Sequence, residues 1–174
     1  MLDYLVLYES ETGNTKKIAT QIFASLPGMS KDLININERT DFPEAKVYFI
    51  GFCVHRGTCS LNMGHFLSAL SEKSIALFGT CGTGNYPDYY REIENAARIW
   101  IEDDNKYLGA FFCQGKMPLQ IRQKYEELLN SSQCKDPKRL NYQIHNFDEA
   151  MIHPDKDDYI HAGRFVDSCL NKLK

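Results

Sequence analysis

Apolar residues in this chain fall into short unbroken runs, separated by stretches in which they recur every three or four positions. Residues 4–8 (YLVLY) are continuous and apolar, which is how a strand reads when both of its faces are covered. From 15 to 26 the apolar positions are Ile18, Ala19, Ile22, Phe23 and Leu26, the spacing of one helical face, and Pro27-Gly28 ends that face. The alternation continues. Residues 32–36 predict a short second strand, 47–52 (VYFIGF) a third, 74–78 a fourth closed by Gly79, and 107–113 a fifth. Helices are predicted over 61–70, over 89–101 with Ile93, Ala96, Ala97 and Trp100 on one face, and over 118–129 with Pro118 near the start.

Strand followed by helix, five times over, predicts an α/β fold: a parallel sheet with helices on both faces. Such sheets bind ligands beyond the carboxyl ends of their strands, at a switch in strand order. The loops after Tyr8, Phe52 and Phe78 are therefore the ones to inspect for chemistry. Residues 131–151 are polar and read as an irregular excursion with room for one hairpin arm. A last helix is predicted over 157–173, where Ala162, Val166, Cys169, Leu170 and Leu173 share a face. Asp155, Asp157 and Asp158 lie near its start, where carboxylates suit the helix dipole. There is no internal repeat or linker, so the expectation is one domain over 1–174 with a C-terminal extension from about 131.

Charge narrows the function classes. A net charge of −3 gives no strong attraction for nucleic acid, which needs many exposed cations. No apolar run approaches the ~20 residues that span a bilayer, and the first residues lack the cationic start of a signal peptide. A cytoplasmic protein with no membrane association is expected. The six cysteines, at 53, 59, 81, 113, 134 and 169, form no C-x-x-C and read as free thiols of a reducing compartment.

The first loop carries the strongest chemical signal. The apolar run ends in Ser10-Glu11-Thr12-Gly13-Asn14-Thr15, and a helix follows at once. A helix N-terminus offers free N–H donors and partial positive charge, so this is a natural phosphate site. Ser10, Thr12 and Thr15 add hydroxyls, Asn14 an amide, and Gly13 a tight turn. The plain alternative is a strand–helix turn with threonine as its cap. No P-loop is present, and Gly79-Thr80-Cys81-Gly82-Thr83-Gly84 has G-x-x-G-x-G spacing, not the G-x-G-x-x-G of a dinucleotide fold. Nor does any cysteine have the Cys-x5-Arg spacing of a low-molecular-weight phosphatase. Cys53, His55 and Cys59 lack a fourth metal ligand at useful spacing. The His153-Pro154-Asp155-Lys156-Asp157 run is better read as capping, so no metal is expected.

Strand, S-x-T-G-x-T and helix at the N-terminus resemble the flavodoxin family, over roughly residues 3–130. The resemblance implies a doubly wound five-stranded parallel sheet of order 2-1-3-4-5 that binds FMN noncovalently. It implies that Ser10, Glu11, Thr12, Gly13, Asn14 and Thr15 hold the FMN phosphate. Cys53, Val54, His55, Arg56, Gly57 and Thr58 would lie along the inner face of the ring. The 80–88 segment, with Thr80, Cys81, Gly82, Thr83, Gly84 and Asn85, would supply backbone contacts, and Tyr86 an aromatic stacker. Residues 111–116 also resemble a segment of some flavodoxin-family proteins, which would bring Lys116 toward the phosphate side or a partner; the plainer reading is a solvated loop lysine. His55 and Arg56 stand where many flavodoxins carry a tryptophan, and cations there would favour a negatively charged reduced flavin.

The function implied is an electron-transfer flavoprotein with no catalytic residue of its own, passing electrons to or from a larger reductase or terminal oxidoreductase. That partner would dock over the 53–59 and 83–90 loops, and an aromatic patch at Tyr86, Tyr89 and Tyr90 could serve docking or a weak dimer of an otherwise monomeric protein. The C-Q-G-K segment at 113–116 and the H-P-D-x-D-D tail are also similar to small flavodoxin-like proteins that work beside bacterial bilirubin reductase, which implies that enzyme as partner. Two alternatives stand beside this reading. One is an FMN-dependent reductase taking hydride from NAD(P)H, although the S-x-R-x-x-S pattern of one such group is missing. The other is a cofactor-free interaction module.

Overall fold

The apolar runs do become adjacent parallel strands. The computed structural model describes residues 1–84 and 86–174. Strands β1 (Leu2–Tyr8), β2 (Lys31–Asn35), β3 (Ala45–Cys53), β4 (Ser74–Cys81) and β5 (Lys106–Gln114) form one sheet in the order 2-1-3-4-5, every pairing parallel. β1 sits between β2 and β3 in register Leu5 to Asp32 and Leu5 to Tyr48. Strand order therefore reverses direction beside β1, and its carboxyl end is the switch point where a crevice opens.

Alternating side chains divide the core between two faces. Leu5, Leu7, Ile50 and Phe52 pack on one side with Met63 and Leu67 of α2 (Leu61–Ser68) and Ile93 and Ala97 of α3 (Pro87–Arg98). Val6, Phe49 and Phe78 point the other way. They meet Ile18 and Ile22 of α1 (Asn14–Ser25) and Ala162, Val166 and Cys169 of the C-terminal helix. Each such side chain, taken fully out of water, contributes roughly 1.5–3 kcal/mol before entropy is counted. Trp100 belongs to the core face, as a ring lying where a Cβ on Gly64 would sit.

The tail departs from expectation. After β5 come α4 (Leu119–Leu129), α5 (Pro137–Ala150) and α6 (Lys156–Asn171). The stretch read as an irregular excursion is mostly the α5 helix. Asp136 caps it, its carboxylate accepting from the Arg139 N–H at 3.0 Å, and Pro137 fills the first turn. Asp-Pro at a helix start was a readable signal. It was masked because α5 is polar on most of its surface and buries only Asn146, Phe147 and Ala150. The carboxylates before α6 do cap it: Asp155 accepts from the Asp157 and Asp158 N–H groups, and Asp158 accepts from the Asp155 N–H. No described helix is long and apolar enough to cross a membrane.

Candidate functional site

At the carboxyl end of β1 the chain turns through Glu9–Thr12 into α1. Gly13 has φ +84°, which L side chains adopt only at a cost, and it stands as the cap residue with no side-chain hydrogen bond to the helix start. The first turn of α1 contains no acidic residue. Its free N–H groups and positive dipole end thus face the loop without an internal counter-charge. The Ser10 Oγ is buried and has no hydrogen-bond partner in the protein. An unpaired buried hydroxyl costs about 1–3 kcal/mol, so its retention favours a ligand that supplies the missing acceptor.

The other polar groups of this loop tie it to its neighbours. Asn14 Nδ2 donates to Thr12 Oγ1 at 2.8 Å and to the Lys116 carbonyl at 2.9 Å. Thr15 Oγ1 and Thr80 Oγ1, both buried, hydrogen-bond at 2.8 Å, joining α1 to the end of β4. Glu11 reaches across to His55, whose Nε2 lies 3.1 Å from its carboxylate.

The loop after β3 is a tight two-residue reversal. His55 and Thr58 exchange both backbone hydrogen bonds, with Arg56 at φ +50° and Gly57 at φ +83° at the tip. Of the two rim cations expected here, His55 is paired with Glu11, and the Cys53 thiol is pushed up to about 11 by burial first and then by Glu11 and Glu9. Burial likewise pushes the Cys81 thiol up to about 12. Both thiols stay protonated at neutral pH and offer no nucleophile.

The loop after β4 is held from behind. A Cβ on Gly84 would overlap the Gln114 carboxamide, and one on Gly82 would lie 2.5 Å from Met117 Sδ. Side-chain-free backbone is needed here because β5 and the segment after it press against the turn. Asn85 lies outside the described residues. Tyr86 does not line the cleft; its ring stands edge-on to Tyr142 of α5, 6.4 Å between centroids, and the two hydroxyls hydrogen-bond. Of the aromatic patch only Tyr86 is exposed, because Tyr89 and Tyr90 pack onto the core.

Between these loops opens a cleft of about 280 Å³. It gathers Glu11, Thr12, Asn14, Cys53, Val54, His55, Thr80, Cys81 and Gly82 from the sequence-predicted set. Ser10, Gly13, Thr15, Arg56, Gly57, Thr58, Thr83 and Gly84 are not part of that lining. The opposite wall is Gly115, Lys116, Met117, Pro118 and Ile121, of which the sequence singled out only Lys116, as an alternative to a solvated loop residue. One end of the cleft is thus rich in neutral hydrogen-bond donors, and its flank is apolar. The arrangement suits a ligand with an anionic end and a flat, largely apolar body.

The model of the flavodoxin domain matches residues 5–167. The chain belongs to the flavodoxin domain family. Two curated relatives extend over almost the whole of it. The flavodoxin-like domain-containing protein BilS of Clostridioides difficile is 36% identical over 172 residues, covering 97% of this chain and 96% of that protein. BilS of Clostridium symbiosum is 27% identical, with 90% of each covered. Among solved structures, a Streptococcus pneumoniae flavodoxin superposes with a TM-score of 0.61 at 14% identity, over 97% of this chain and 98% of that one. A short-chain flavodoxin associated with a bacterial microcompartment gives 0.59 at 13% identity over the full length of both.

For a flavodoxin-domain protein, the hydroxyl-rich loop and the switch-point cleft were the features to look for, and they lie together. What the motif left out is the wall from β5 and α4. Beyond the C-Q-G-K segment, its hints were Gly115, whose Cβ would come within 2.8 Å of Asn14 Nδ2, and Pro118, which fixes the chain as it enters α4.

Proposed function

We propose that this chain binds FMN in the cleft and serves as an electron-transfer flavoprotein. The observation that carries the reading is the buried, unpartnered Ser10 Oγ in the loop that leads into the uncapped N-terminus of α1, a loop whose Glu11 and Thr12 line a cleft with one apolar flank. When bound, FMN supplies one- and two-electron redox chemistry. In this reading Ser10, Thr12 and the α1 N–H groups take the phosphate, with Gly13 letting the backbone approach. Val54, Met117 and Ile121 exclude water from the flank. Thr15 and Thr80 hold the phosphate loop against the ring-side loop.

The reading extends to the partner. The partner in this reading is a cytoplasmic oxidoreductase of the bilirubin reductase type, which the resemblance of the C-Q-G-K and H-P-D-x-D-D segments implies. Absorbance titration with FMN, followed by anaerobic addition of NADPH, tests the core of this function. The expected result is saturable FMN uptake and no bleaching until a partner reductase is added. Rapid bleaching by NADPH alone would place the chain among the reductases, and no spectral change with FMN would end the flavoprotein reading.

A further inference from the structure

Behind the ring-side turn lies a fully packed amide network. Asn146, on α5, is 4% exposed, and Gln114, the last residue of β5, is 3% exposed. Asn146 Nδ2 donates to the Gly82 carbonyl at 3.0 Å, while its Oδ1 accepts from the Gly84 N–H at 3.3 Å and from Gln114 Nε2 at 3.1 Å. Gln114 Nε2 also reaches the Gly82 carbonyl at 2.9 Å. One side chain therefore grips both ends of the 82–84 turn. It comes from a helix more than sixty residues further along the chain. Gly82 itself lines the cleft. Burying two carboxamides is costly unless every polar atom is paired, so this network specifies a geometry more than it adds stability.

We propose that Asn146 is a positioning residue for the cofactor: it fixes the 82–84 backbone against which the flavin ring rests, and so makes the α4–α5 hairpin part of the binding site. The proposal rests on the FMN reading above. Without Asn146 the turn keeps Gln114 at Gly82 but loses the acceptor for the Gly84 N–H. The turn then samples other conformations, and the ring loses a preformed surface.

Three measurements on the full chain test this: amide hydrogen exchange without FMN, FMN titration, and visible circular dichroism of bound FMN. In N146A the Gly84 amide is expected to exchange about tenfold faster and the FMN Kd to rise about tenfold, the scale of one lost buried hydrogen bond. The dichroism of bound FMN should change, which a purely structural role would not cause. D136A removes the α5 cap without touching the turn; it should lower Tm and leave Kd and dichroism as in the parent. If N146A fails to fold, N146D keeps the shape and the acceptor for Gly84 but faces a carboxylate to the Gly82 carbonyl, and it too should weaken FMN and alter the dichroism. Parent-like Kd and dichroism in the folded Asn146 variant would overturn the proposal, as would equal changes in D136A. Parent protein that takes up no FMN would overturn the flavoprotein reading and the cofactor role of Asn146 with it. The failure of Asn146 alone is distinguished by FMN uptake that the variant leaves unchanged.

Discussion

The two walls of the cleft are built in opposite ways. The phosphate-loop wall is local: β1, the five loop residues 9–13 and the first turn of α1 supply its donors within a few positions of sequence. The hairpin wall is assembled from afar, with Asn14 meeting the Lys116 carbonyl across 102 positions and Gly84 meeting Asn146 across 62. A local wall leaves donors free for a ligand. At the remote wall the Gly84, Gly115 and Lys116 N–H groups and the Gln114 and Asn146 carboxamide nitrogens are engaged with protein, so it shapes a ligand's surroundings more than it binds.

The contrast is most sharply tested at Phe147, which is 2% exposed on α5 next to Asn146. F147A should destabilise the protein by about 3–5 kcal/mol, the cost of a large buried ring with little room to collapse. Urea denaturation gives the number. If the hairpin were a loose appendage, the loss would be small and the main transition unmoved.

Legibility in sequence follows the same division. The strand runs, the α1 face and the S-x-T-G-x-T loop are short-range patterns, and the sheet order came with the family they resemble. The grouping of Glu11, Cys53, His55, Thr80 and Gly82 around one cleft followed from that order. Missed were contacts that depend on α5. Its polar surface hid the helix, and without it Tyr86 had no competing partner and read as a stacker, whereas Tyr142 holds it. One member of the expected cationic rim has a carboxylate partner for a related reason. His55 meets Glu11 across 44 positions, a pairing no local pattern announces. Lys116 read as a bland solvent-facing loop residue; it lines the cleft, and its N–H donates to the His153 carbonyl, fastening this wall to the turn before α6.

A second, smaller effect tests the seam between the walls. The buried Thr15 and Thr80 hydroxyls hydrogen-bond to one another at 2.8 Å, across 65 positions of sequence. T15V should cost about 1–3 kcal/mol, because Thr80 keeps a buried hydroxyl with nothing to bond. T15V/T80V should cost less than the sum of the two single changes, since the double variant leaves no orphan. Additive losses would mean that the two hydroxyls do not depend on each other.

The smallest effect has the opposite sign and bears on why the local wall is built as it is. Ser10 Oγ is buried and unpartnered, a standing cost to the free protein. S10A removes that hydroxyl with no other bond lost. It should therefore raise the stability of the FMN-free protein by up to about 1 kcal/mol, while FMN binds about tenfold more weakly. Thermal denaturation with and without FMN reads both at once. The variant should melt above the parent when free, and the gap should close or reverse at saturating FMN, since ligand stabilisation scales with affinity. A variant that melts lower in the free state would mean that Ser10 already has a partner, water included. Its hydroxyl would then give no reason to place an anion there, and the phosphate assignment would rest on the α1 terminus alone.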